Sequence, residues 1–295
     1  MTPEPFRCGV IALIGRPNVG KSTLLNALLG QKLSITSRKP QTTRHALRGV
    51  LTTGSAQFIF VDTPGFQTRH RSGLNRAMNR AVRGALDAVD VAVLVVEAKR
   101  FGPEDRALLK QVPAGMPLFL VVNKIDTTEP AGLLPFLKKA ASEAQFEGIV
   151  PVSARSGKGL EELRRVLERN LPEQGPIHSE DDLTDRSERF LAAELIREKL
   201  FRLLGEELPY STGVEIEKFE EQRGMRRIHA AIVVEKEGHK AIVIGSGGSK
   251  LKQVATAARL DMEKLFVGKV YLQVWVKVRG GWTNDEVALK AMGYV

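Results

Sequence analysis

The stretch "GRPNVGKS", residues 15–22, sits between the apolar run "VIALI" and the helix-like "KSTLLNALLG". It fits the spacing G-x-x-x-x-G-K-[ST]. Glycines let backbone N–H groups turn inward around a phosphate, and the helix behind them adds free donors and the positive end of its dipole. Gly15, Arg16, Pro17, Asn18, Val19, Gly20, Lys21, Ser22 and Thr23 are therefore expected around a polyphosphate. Lys21 would meet the β- and γ-phosphates, and Ser22 would offer its hydroxyl to Mg²⁺. Alone, this spacing specifies a nucleoside triphosphate and no particular base.

Outward from the loop, residues 8–170 alternate two patterns. "VIALIG", "AQFIFVD", "VAVLVVEA", "PLFLVVNK" and "IVPVSA" read as strands buried on both faces. "KSTLLNALLG", "RALLKQV" and "GLEELRRVLERNL" read as helices, the first closing at Gly30. Alternating strands and helices imply a doubly wound α/β domain with a mostly parallel sheet. Ligands of such sheets collect at the carboxyl ends of the strands. There "NKID" follows "LFLVV", placing Asn123, Lys124 and Asp126, and "SAR" places Ser153 and Ala154. A carboxylate at Asp126 accepts from both guanine N1–H and the 2-amino group. Adenine would leave that carboxylate desolvated and unpaired, so the pair of charge-assisted bonds discriminates between the bases. "DTPG" at Asp62, Thr63, Pro64 and Gly65 puts a second carboxylate near the metal and a glycine N–H near the γ-phosphate. "QTTR", residues 41–44, forms a polar segment of the kind that orders around γ-phosphate and Mg²⁺.

Composition sets wider bounds. The 295 residues allow about two domains. No apolar run is long enough to span a membrane, and the N-terminus carries no signal pattern. The single cysteine, Cys8, reads as a core residue in a reducing compartment. Net charge is +10, and Lys32–Arg83 holds ten basic residues against the lone acid Asp62. That stretch is either a solvated basic surface or a face that meets phosphates or acidic lipid.

A break falls at "LPEQGPIHSEDDLTD", residues 171–185, giving a nucleotide domain at 1–172, a linker at 173–185 and a second domain at 186–295. The second domain opens with the helix "RSERFLAAELIREKLFRLLG", then two β-type runs about Gly224, the helix "SKLKQVATAARLDMEKLF" and the strand "KVYLQVWVKV", an α-β-β-α-β order. Within it, "KAIVIGSGGSKLK" (residues 240–252) echoes the first loop: a β-type apolar run, then glycines. It lacks the G-K-[ST] ending, so a second nucleotide site is not expected. Its G-x-x-G turn suits a nucleic-acid backbone, with Ile244, Gly245, Ser246, Gly247, Gly248, Lys250 and Lys252 as the RNA-binding candidates and Ile242 beside them. Trp275 and Trp282 read as packing or anchoring residues rather than stacking ones.

These motifs, in this order, resemble the translation-factor class of regulatory GTPases over residues 8–170, and the G-x-x-G domain resembles the type II KH module. The resemblance implies that Ser22, Asp62 and one switch threonine hold Mg²⁺. Thr43, next to Arg44, is favoured over Thr42, which makes Lys21, Thr43 and Asn18 the catalytic candidates. Phe66 stands where Ras-like enzymes place the glutamine that orients water. The chain in this respect resembles the TrmE–Era group of GTPases, some of which use an asparagine at the position of Asn18 to help hold K⁺. The same likeness implies slow intrinsic GTP hydrolysis to GDP, and binding near the 3′ end of 16S rRNA during small-subunit assembly. It also implies a monomer in the cytoplasm with peripheral association at the cytoplasmic side of the inner membrane. A constitutive RNA binder with an inert nucleotide site would carry the same motifs. An ATP-dependent RNA enzyme is disfavoured by Asp126.

Overall fold

The N-terminal half runs β1 (Arg7–Ile14), α1 (Lys21–Leu29), β2 (Leu47–Thr52), β3 (Ala56–Asp62), α2 (Gly73–Leu86), β4 (Val91–Glu97), α3 (Pro103–Leu109), β5 (Leu118–Asn123), α4 (Pro130–Ala141), β6 (Gly148–Pro151) and α5 (Leu160–Glu168). The computed structural model describes residues 5–66, 73–205 and 208–292, and the chain parts into two units chiefly at Asp185/Arg186, the second also taking Ile35–Thr42 and the start of α2 through Ala77. The first unit holds one sheet, ordered β2-β3-β1-β4-β5-β6. Every neighbouring pair is parallel except β2 with β3. The apolar runs become strands because both faces of the sheet are covered: Val91–Val96 are all 0% exposed. Each valine or leucine of that run stabilises the fold by about 1.5–3 kcal/mol. Cys8 is likewise buried in this core.

The stretch 173–185 does not hang free. Ile177 and His178 donate their N–H groups to Gln57 Oε1 at 2.8 and 2.9 Å, Val50 N donates to Leu183 O at 2.8 Å, and Thr184 Oγ1 donates to Arg48 O at 2.6 Å. Gln57, fully buried on β3, is thereby satisfied by the chain that straps over it.

The second unit runs α6 (Glu188–Leu203), β7 (Thr212–Gln222), β8 (Met225–Val234), α7 (Glu237–Ile244), α8 (Ser249–Leu265), β9 (Lys269–Val278) and α9 (Glu286–Ala291). Its sheet is ordered β7-β8-β9, with β7 antiparallel and β9 parallel to β8. Ser187 caps α6 by accepting from Phe190 N. The expected order needs correction. The run Ala241–Ile244 is the last turn of helix α7, not a strand, and α9 follows the last strand, so the unit reads α-β-β-α-α-β-α. Its β-branched residues suggested a strand. Only Val243 of the helix is buried, however, and a single inward residue per turn suits a short helix better than period-two alternation. Trp282 is fully buried and donates Nε1–H to Ser211 O at 3.2 Å, as a packing residue should.

By its contacts, the segment Ile35–Thr42 belongs to this second unit. There Thr36 N donates to Glu198 Oε1 at 3.0 Å, Arg202 donates to the same oxygen at 2.9 Å, and Glu198 is 0% exposed. No helix of the described residues is long and apolar enough to cross a membrane.

Candidate nucleotide site and glycine turn

Four loops meet at the carboxyl ends of β1, β3, β5 and β6. Asn123, the last residue of β5, ties three of them together. Its Nδ2 donates to Val19 O at 2.9 Å, while its Oδ1 accepts from Lys124 N at 2.8 Å and Ala154 N at 3.0 Å. Ser153 Oγ donates to Asp126 Oδ1 at 2.7 Å, holding that otherwise exposed carboxylate in place. Gly20 must be glycine here: its φ is 100° and a Cβ would fall 2.4 Å from Asn123 Nδ2. Gly65 approaches the first loop just as closely, a Cβ there lying 2.8 Å from Pro17.

Around Asp62, oxygens converge. Its Oδ2 accepts from Ser22 Oγ at 2.6 Å, Ser34 Oγ at 2.8 Å and Thr43 Oγ1 at 3.4 Å, and the Ser22 and Thr43 hydroxyls lie 2.8 Å apart. Thr42 is elsewhere, bonded to Ser37 Oγ and Lys39 O. Asp62 Oδ1 is buried without a hydrogen-bond partner. Burial pushes the Asp62 carboxyl up against the opposing pull of Lys21 and the hydroxyls, and burial pushes the Lys21 ammonium down to about 8. Lys21 Nζ meanwhile donates to Gly15 O and Arg16 O at 2.9 and 3.0 Å. A hard dication beside Asp62 and phosphate oxygens beside Lys21 would offset both penalties, so the donor set fits Mg²⁺.

The remaining candidates have other company. The Arg16 guanidinium forms a buried ion pair with Asp105 at 2.7 Å and donates to Arg100 O, so only its backbone faces the loop interior. Thr63 Oγ1 donates to Leu13 O, a packing role. Asn18 is exposed with φ 64°, and Phe66 is packed among Ala12, Val82 and Leu86. Arg69 and Arg71 of the basic stretch lie outside the described residues. Sequence spacing missed Ser34 and the residue that positions it, Asn26. Asn26 accepts from Leu33 N and Ser34 N and donates to Ser34 O. Neither belongs to a recurring motif, so no sequence signal marks them.

In the second unit the glycine turn joins α7 to α8. Gly245, Gly247 and Gly248 have φ of 73°, 56° and 77°. A Cβ on Gly247 or Gly248 would meet nothing within 4 Å, so these positions favour glycine for their backbone alone and leave open space beside it. Ser246, Lys250 and Lys252 are exposed around that space, and Ile244 is half-buried behind it.

A doubly wound sheet carrying these loops, followed by a helix–glycine turn–helix unit, defines a phosphate-loop GTPase joined to a KH domain. Comparison with known proteins agrees: the 50S ribosome-binding GTPase family matches residues 10–124 and the KH domain family matches residues 207–283. GTPase Era of Nitrosomonas eutropha is 57% identical over 100% of both chains. GTPase Era of Chromobacterium violaceum is 53% identical over 99% of both. Aquifex aeolicus Era bound to GDP and AlF4⁻ superposes with a TM-score of 0.95 at 36% identity, covering 98% of this chain and 100% of that one. An Era solved with MgGDPNP and nucleotides 1506–1542 of 16S ribosomal RNA has the same TM-score at 37% identity, covering 98% and 99%. The chain belongs to the Era family and is a GTPase.

Proposed function

We propose that the protein is a GTP-switched RNA-binding factor that recognises single-stranded RNA near the 3′ end of 16S rRNA in small-subunit assembly. The carrying observation is the pairing, in one chain, of a guanine-nucleotide constellation with an open glycine turn flanked by lysines. The Era solved with a 16S fragment supports that choice of RNA. The family matched over residues 10–124 is described by the other subunit, but it covers only the nucleotide half, whereas the RNA-bound relative matches the whole chain. Residues 1–172 bind nucleotide, 173–185 connect, and 186–295 bind RNA. The protein acts as a monomer in the cytoplasm, with peripheral contact to the inner membrane.

Asp126 reads guanine, backed by Ser153 and Ala154 and tied to the phosphate loop by Asn123. Bound Mg²⁺, held by Ser22, Thr43 and Asp62, would draw charge from the γ-phosphate. Lys21 neutralises the β- and γ-phosphates, and the loop N–H groups orient them for in-line attack by water. Phe66 is buried and offers that water no hydrogen bond, so turnover is slow unless K⁺, held with the help of Asn18, or bound RNA assists. The test measures GTP turnover in K⁺ against Na⁺, and binding to an RNA of the 16S 3′ end. Faster turnover in K⁺, lost in Asn18→Ala, and selective RNA binding are expected. Equal rates in both salts would remove the K⁺ role, and indifference to RNA sequence would remove the 16S assignment.

A further inference from the structure

The three-stranded sheet of the second unit has two unlike faces. Ile228, Ala230 and Ile232 on β8, with Val270 and Val276 on β9, form the buried side against which α6 and α8 pack. The residues between them point the other way. In register, Arg227 stands opposite Tyr271, His229 opposite Gln273, and Ala231 opposite Trp275, while Lys218 of β7 flanks His229. At Gly213 this second face is covered by Trp282 and Met292. Toward the β7–β8 turn it is open: Tyr271 is 47% exposed, Arg227 and Lys218 are exposed, and His229 and Trp275 are half-buried.

On the open part the side chains form a row. The Arg227 guanidinium lies 5.8 Å over the Tyr271 ring, Tyr271 meets His229 edge-on at 6.4 Å, and His229 meets Trp275 edge-on at 6.1 Å. Of the acids beside it, Glu220 pairs with Lys218 and Glu217 with Lys277, and Glu215 stands half-buried opposite Ala231. Among the described residues, Arg227 is placed over a ring and not against a carboxylate. Aromatic rings bordered by cations form the surface on which successive bases stack while their phosphates are neutralised. Protein interfaces also favour Tyr, Trp and Arg, but the exposed Lys250 and Lys252 beside the glycine turn of the same unit point to nucleic acid.

The position supports the same occupant. β9 is an edge of the sheet, and α7 and α8, which carry the glycine turn, pack against its other face. The turn opens α8 and β9 follows the far end of that helix, so an RNA longer than the turn alone holds would have to run the length of α8 and round this edge to reach Tyr271 and Trp275. We propose that the row Arg227–Tyr271–His229–Trp275 is a second contact for single-stranded RNA, continuing the path that starts at Gly245–Gly248. It rests on the RNA-binding function proposed above.

The test uses the full chain and two fluorescent single-stranded RNAs: a tetranucleotide, matching the turn alone, and an oligonucleotide of about twelve nucleotides. Tyr271→Ala is expected to weaken the longer RNA by about 5–50-fold and leave the tetranucleotide unchanged, with Tyr271→Phe restoring affinity through its ring. Gly247→Asp should weaken both. As a readout without substitution at the row, the longer RNA should quench Trp275 fluorescence, a change absent in Trp275→Phe and absent with the tetranucleotide. If Gly247→Asp loses binding while Tyr271→Ala binds the longer RNA normally, or if no quenching occurs, the second contact is overturned and the turn stands. Loss of a protein partner with RNA affinity intact overturns it as well. If the unsubstituted chain binds neither RNA, the RNA-binding function itself fails.

Discussion

Asn123 has no room for error. It is 2% exposed and its amide satisfies Val19 O, Lys124 N and Ala154 N at once. Asn123→Ala leaves these groups without a partner in a dry site, a cost of about 2–4 kcal/mol. A lowered melting temperature together with weakened GTP binding is expected. Stability equal to the parent protein would show that water replaces the amide. Asp126 works differently: it is exposed, so its substitution should leave the fold intact. Asp126→Asn exchanges two acceptors for an acceptor and a donor, so GTP should lose its advantage by about 100-fold or more. Competition by xanthosine triphosphate, whose 2-carbonyl matches the new donor, measures it. Failure of that analogue to compete would place guanine recognition elsewhere. Both residues were legible in the sequence because N-K-x-D follows a strand at the right distance from the first loop. Ser34 and Asn26 were not, because their roles depend on how the chain returns after α1, which no spacing encodes.

At the scale of elements, continuous apolar runs declared themselves: β1, β3, β4 and β5 are all strands buried on both faces. β2 escaped notice because "LRGVLT" mixes an exposed arginine and a glycine into an edge strand, and Gly49 is there to admit α1, a Cβ falling 2.7 Å from Leu29. α7 was legible as apolar but not as helical, since four residues cannot distinguish period two from 3.6. The turn after α7 carries its own prediction. Gly247 has φ 56° and empty space around its missing Cβ, and aspartate tolerates that backbone better than most residues. Gly247→Asp should therefore fold and hydrolyse GTP normally while RNA affinity falls about tenfold or more through repulsion of phosphate. Joint loss of GTPase activity and RNA binding would mean that the turn serves the fold.

At the scale of the molecule, the two functions share one stretch of chain. Ile35–Thr42 clusters with the unit that carries the glycine turn, yet Ser34 before it and Thr43 after it both bond Asp62. RNA affinity should then differ between the GDP and GDPNP forms by about 5–150-fold, the usual size of an allosteric coupling. Equal affinities in the two forms would favour a constitutive RNA binder. Glu198, buried and hydrogen-bonded to Thr36 N, is the anchor whose replacement by glutamine should shrink that ratio. Because both ends of an eight-residue excursion meet a single carboxylate oxygen, a cation drawn to that atom acts on both ends at once. Asn26 keeps its grip on Ser34, so the end at Thr43 is the one free to answer the nucleotide.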